Sequence, residues 1–241
     1  MEFGVNILAS LAAGVILTGL AISWRRFIPF FSFGSIRKVW SPFLKGNTVI
    51  VITGRPGLLP RSTTKVSFSE TRALLNLKKF FEKFGSNFEI TNSIDANSIQ
   101  YIDKNIILLG SQKANEVTKE FSNKIAIPFS YDSQGNLVSH SETFPSTPDN
   151  GESLKQDHAL ILKCVSPYGT GNRMFILAGN HGAATEAAAR YVVSRNGIAE
   201  IARKLGDSDF TAVLRVQVEN NNPKSCKLIK CWKFQEVLNE R

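Results

Sequence analysis

NRMFILAGNHGAATEAAARYVV, residues 172–193, is the stretch around which the chain is organised. The run Met174-Phe175-Ile176-Leu177-Ala178 is too short for a helix, and it is unbroken enough for a strand buried on both faces. A turn follows at Gly179-Asn180-His181-Gly182. An Ala-rich segment of high helix propensity comes next and ends at Arg195-Asn196-Gly197. Strand, glycine turn and helix together present backbone N–H groups to an anion at the helix N-terminus. The same arrangement also serves as a tight turn with no ligand.

Working outward, residues 159–165 form a strand joined to the Met174 strand by the short turn 166–172, which predicts antiparallel neighbours. Residues 48–53 (TVIVIT) and 105–109 (NIILL) read as further buried strands, each closed by glycine. Ser69 is the expected N-cap of an amphipathic helix over 70–84, and a second helix is expected from about Lys113 to Lys124. Residues 127–131 and 137–139 suggest a hairpin, and 144–155 a loop. A short helix over 198–205 precedes an alternating strand at 210–219, with 226–238 as its partner. Strands alternating with helices predict an α/β sheet with an antiparallel edge.

The first 45 residues differ in kind. Residues 5–23 carry no charge, and as a helix they span about 28 Å against a hydrocarbon core of about 30 Å. Glu2 is the only charged residue before the run, whereas Arg25 and Arg26 follow it at once. A secretory signal has the opposite polarity. The expectation is therefore a single-pass helix (1–24) in a bacterial inner membrane, N-terminus outside and the remainder cytoplasmic. Asn6, Ser10, Gly14 and Thr18 recur at i, i+4 and form a small, polar stripe that favours helix association and is the expected pore lining. Residues 25–45 hold Trp24's neighbours Phe27, Phe30, Phe31 and Phe33, then Arg37, Lys38 and Trp40. They read as a juxtamembrane collar at the lipid headgroups, outside the soluble core. Residues 46–241 form the cytosolic domain.

A net charge of +9 points to an anionic partner: nucleic acid, nucleotide or lipid. In open α/β sheets ligands sit at the carboxyl ends of the strands. Three such ends combine glycine with polar or basic residues. They are Arg55, Gly57 and Arg61; Ser111, Lys113 and Asn115; and Gly179, Asn180, His181, Gly182 and Thr185. Arginine forks suit phosphates, and the glycines let a ligand approach the backbone. Asn115 and Thr185 serve either as helix caps or as contacts to a base or sugar. His140, His158 and His181 share no metal-ligand spacing, the three cysteines form no zinc pattern, and no P-loop or G-x-S-x-G is present. No metal, cofactor or catalytic residue is expected. Glu70 and Glu186 are the carboxylates on which a glycosidic-bond-cleaving enzyme would have to rest.

The combination NIILLGSQKAN (105–115) with DHALILKCVSPYGTGNRMFILAGNHGAATEAAARYV (157–192) resembles a Rossmann-like domain of bacteria and archaea, found in archaeal S-layer and bacterial defence proteins. It departs from that pattern at Ser111, where a second glycine is usual, and at Ala184, where Gly-Thr becomes Ala-Thr. A membrane helix joined to such a domain is similar to the transmembrane effectors of nucleotide-signalled antiphage systems, of the Hailong or membrane CARF type. That resemblance implies a homo-oligomer, a tetramer by expectation. Its membrane helices would form an ion-conducting pore gated by a nucleotide or oligonucleotide on the cytosolic domain. It also implies a nucleotidyltransferase as the source of the signal. Two other classes remain open: a membrane-tethered nucleotide- or NAD-cleaving enzyme, and a protein-binding anchor.

Overall fold

The computed structural model of the chain describes residues 34–52, 67–93, 101, 103–124, 129–139, 141–148, 153–167 and 171–233. The expected membrane span, its stripe Asn6, Ser10, Gly14 and Thr18, and the aromatic residues up to Phe33 lie outside them, as do Arg55, Gly57 and Arg61. Among the described residues no helix is long and apolar enough to cross a membrane.

The described chain is α/β, a mixed sheet flanked by helices. Its elements are α1 (34–45), β1 (Thr48–Ile52), α2 (Phe68–Lys83), β2 (Phe88–Asn92), β3 (Asn105–Leu109), α3 (Glu116–Lys124), β4 (Phe129–Tyr131), β5 (Leu137–Ser139), β6 (Glu142–Phe144), β7 (Thr147–Pro148), β8 (Leu154–Val165), β9 (Arg173–Gly179), α4 (Gly182–Val193), α5 (Arg195–Leu205), β10 (Phe210–Glu219) and β11 (Asn222–Lys233). The main sheet runs β11-β10-β8-β9-β3-β1-β2, with β7 on β8, and β4-β5-β6 form a second, small sheet. Strands β2, β1, β3 and β9 are parallel. The remaining neighbours, β9-β8 and β8-β10-β11, pair antiparallel, as the short 166–172 link requires.

Each central strand is apolar on both sides because both faces are covered. Ile50, Ile107, Phe175 and Leu177 face a layer built from α1, α2, α4 and α5. Val49, Val51, Ile106, Leu108, Met174 and Ile176 face α3 and the small sheet.

The collar expectation fails at residues 34–45. They form α1, and Val39, Trp40 and Phe43 are fully buried in the core. The Trp40 ring lies 4.9 Å from Phe175 and 5.0 Å from Phe80, centroid to centroid, and its Nε1 donates to the Val192 carbonyl at 2.7 Å. Aromatic density signals removal from water; it does not say whether lipid or protein does the removing. The last carbonyls of α1 are satisfied from the amino edge of the sheet. Asn105 Nδ2 donates to Pro42 O at 2.9 Å, Thr48 Oγ1 to Phe43 O at 2.9 Å, and Ser86 Oγ to Leu44 O at 2.8 Å.

Helix starts moved by two or three residues for one reason. Ser67, not Ser69, caps α2, because only Ser67 stands three residues before a glutamate; Glu70 answers it in a capping box. The second helix starts at Glu116 and not Lys113, because Asn115 is its cap.

Candidate functional site

Helices α2 and α4 leave their strands on one face of the sheet, and α3 leaves β3 on the other. The carboxyl edge of β1, β3 and β9 is therefore where the helices part to opposite faces, the place where open α/β sheets bind ligands in a crevice. The described sequence candidates divide there into those that build the crevice and those free to act in it.

Most of them build it. Asn115 is fully buried, with Nδ2 donating to Leu109 O (2.8 Å) and Val51 O (3.3 Å), and Oδ1 accepting from the N–H groups of Val117 and Thr118 (3.1 Å each). It stitches β1 to β3 and caps α3, so it takes the capping role of the two expected and has no hydrogen-bonding capacity left for a base or sugar. Gly179 is needed for packing: a Cβ there would lie 2.4 Å from Ala184 Cβ and 2.6 Å from Thr185 N. A Cβ at Gly182 would lie 3.1 Å from Ser69 Cβ and Oγ, and Thr185 is buried. Asn180 locks the small sheet to β9, accepting from Leu137 N (2.8 Å) and donating to Phe144 O (2.9 Å) and Ser146 Oγ (3.1 Å). The glycines and Asn180 thus close the crevice wall and do not open it.

Ser111 is half-buried, and its carbonyl accepts from Ala114 N and Asn115 N in the turn before α3. Lys113 is exposed and donates to Asp132 O at 2.8 Å.

His181 stays available. It precedes α4 without capping it, and its side chain is 52% exposed, so the imidazole meets solvent. Its Nδ1 lies 3.5 Å from Asp157 Oδ2 and 3.3 Å from Ser146 Oγ. Asp157 is fully buried and well held, its Oδ1 accepting from Ser146 Oγ and His158 N (2.8 Å each) and its Oδ2 from His181 N (3.2 Å). This buried carboxylate raises the His181 pKa above its ordinary value, against a smaller opposing effect of burial. Both partners address Nδ1, which leaves Nε2 without a partner among the described residues. The Tyr131 hydroxyl is also buried and unpartnered there; burial first, and then the charge of Asp157, hold its pKa above the usual phenol range.

Chemically, the edge offers an imidazole biased toward its cation beside the positive end of α4. That combination holds an anion, or places Nε2 to take a proton when the ring is neutral.

The other carboxylates and histidines lie elsewhere. Glu70 is spent in the capping box. Glu186 is buried at the α2–α4 seam, 3.8 Å from Arg72, with its pKa raised chiefly by burial. His158 is buried against Pro145 O at 3.0 Å, and burial lowers its pKa. Among the described residues no cluster of histidine, cysteine or carboxylate side chains could hold a metal.

Asp157, Ser146 and Tyr131 are site residues that sequence reasoning missed. One signal was present. The β8–β9 register pairs Ala159 with Gly179, and continued two residues further it sets Asp157 opposite His181. No family model matches the chain, and no curated protein matches it either.

Proposed function

We propose that the chain is an oligomeric inner-membrane effector of antiphage defence, in which a cytosolic α/β domain binds a nucleotide or oligonucleotide signal and thereby gates a pore. In this reading residues 5–23 cross the membrane, Asn6, Ser10, Gly14 and Thr18 line the pore of a homo-tetramer, and a nucleotidyltransferase supplies the signal. The observation that carries the ligand half is the Asp157–His181 couple, which sets an exposed imidazole, biased toward its cation, at the carboxyl edge beside the N-terminus of α4. The membrane half rests on the uncharged run and its charge asymmetry. Gating requires that the signal bind the two states of the assembly unequally. The test is nucleotide binding by the full chain in detergent. Wild type retains a nucleotide and Asp157→Asn weakens it; equal retention by both defeats the assignment of this edge.

A second reading is favoured by one observation, the grouping of Asp157, His181 and Ser146. Ser146 faces the same ring nitrogen as Asp157, so it is not placed to pass a proton to Nε2 as the serine of a hydrolytic triad would. An enzyme here would use His181 Nε2 as base toward water attacking a nucleotide or NAD. Turnover lost on His181→Ala would select that reading over the first.

A further inference from the structure

Strands β8, β10 and β11 carry a row of basic side chains that the crevice does not use. Arg215 pairs in register with His158 on one side and with Lys227 on the other. Neighbours directly across an antiparallel sheet share a face, so the Arg215 and Lys227 cations stand side by side there, next to the buried His158, whose pKa burial lowers. Like charges placed this way destabilise a sheet, and folded chains ordinarily answer them with a carboxylate. Here Arg215 and Lys227 are exposed, and no carboxylate of the described residues lies within ion-pair distance of either. Glu142 on β6 is already engaged, accepting from Lys230 Nζ at 2.8 Å.

The row is not a flat surface patch. It lies beside the small sheet, and the edge of that sheet closes one side of a cavity of about 560 Å³. Arg215, Lys227 and Lys230 share its wall with Thr143, Gln156 and Ile229. Lys230 joins them because the register shifts between Val213 and Leu214, a bulge that brings Ile229 and Lys230 to the same side. A cavity of that volume suits a small molecule and not a folded partner. The Glu142 carboxylate also lines the wall and is taken up by Lys230, which leaves Arg215 and Lys227 as two cations without an acidic partner among the described residues; with threonine hydroxyls and the Gln156 amide beside them, they match the charge of a di- or triphosphate.

We propose that this cavity is a second anion site, separate from the His181 crevice, which binds a phosphate-bearing small molecule of nucleotide size through Arg215, Lys227 and Lys230. The two sites flank one segment. Ser146 faces the crevice, while Pro145 and Thr147 face the cavity, so occupancy of either is felt by the same short stretch of chain.

Isothermal titration of the full chain in detergent with inorganic pyrophosphate tests the assignment. Arg215→Gln with Lys227→Gln should weaken binding at least about tenfold, the effect of losing charge-assisted hydrogen bonds. Glu142→Gln should tighten it by freeing Lys230. Lys224→Gln, at a solvated lysine paired with Glu219 and outside both sites, should leave it unchanged. Because the row repels itself when empty, the double variant should unfold at the same temperature as wild type or higher, which separates lost binding from lost structure. Pyrophosphate binding of undiminished affinity in the double variant overturns the proposal. So does an absence of pyrophosphate binding, including the case where only a single-stranded oligonucleotide binds.

Discussion

Removing the Trp40 side chain should unfold the domain long before it affects any membrane contact. Trp40 is fully buried, is ringed by Phe43, Phe80, Phe81 and Phe175 at centroid distances of 4.9–5.8 Å, and donates to Val192 O. Truncation of a buried aromatic side chain to alanine costs about 3–5 kcal/mol, since the ring of neighbours cannot close the cavity fully. The Val192 carbonyl also loses its indole donor, which adds about 1 kcal/mol or more where no water reaches it. Trp40→Ala should therefore cost about 4 kcal/mol or more, a fall in Tm of roughly 8–16 °C for a domain of this size. Trp40→Phe keeps most of the packing and loses the hydrogen bond, so it should fall between the two. The assay is thermal and urea unfolding of the full chain in detergent, followed by circular dichroism. A change within about 0.5 kcal/mol would place Trp40 among ordinary surface residues and refute the docking of α1 in the core.

Four further outcomes follow from the site. Asp157→Asn should lower the His181 pKa, read from the imidazole proton shifts by NMR; an unchanged titration would mean the carboxylate does not set it. The sign for stability is fixed by the direction of that shift. A histidine whose folded pKa is raised adds stability that is complete below its ordinary value of 6.5 and is lost as pH rises through the folded value. Wild type should therefore lose stability relative to His181→Gln across that window, and parallel curves would contradict it. Gly179→Ala places a methyl against Ala184 Cβ and Thr185 N, both on the rigid start of α4, and should cost about 3 kcal/mol by overpacking in the same unfolding assay, with no cost as the contrary result. Asn180→Ala cuts two hydrogen bonds to the small sheet and one to Ser146 just after it, so amide exchange should rise across 129–148 while β1, β3 and β9 stay protected; uniform exchange would show that the small sheet does not depend on Asn180.

The parts of the fold that were readable are those where one local pattern had one physical meaning. Met174–Ala178 and residues 105–109 are apolar on successive positions, which only a strand covered on both faces tolerates. The turn at 166–172 is too short for anything but an antiparallel return. Residues 34–45 were misread because Trp40 and Phe43 carry the same composition whether lipid or protein buries them. Strands β6 and β7 are three and two residues long, so they leave no periodicity to detect. At the carboxyl edge, glycine and asparagine suggest ligand contacts in the sequence, but a tight strand-to-helix turn needs small residues and caps with or without a ligand; Gly179 and Asn115 have such packing and capping roles. Asp157 was hidden because its partner is distant in sequence, and only the register of two strands brings it to His181.

The central claim is that a signal bound at the cytosolic domain opens a path through the membrane. Dye entry into cells expressing the full chain tests it most directly, comparing wild type with the Asn6→Leu, Ser10→Leu, Thr18→Leu variant and with His181→Ala at matched membrane levels. The account predicts staining of wild-type cells under phage challenge and intact membranes in both variants. Staining that persists in both, or wild-type cells that exclude the dye throughout the challenge, would contradict it.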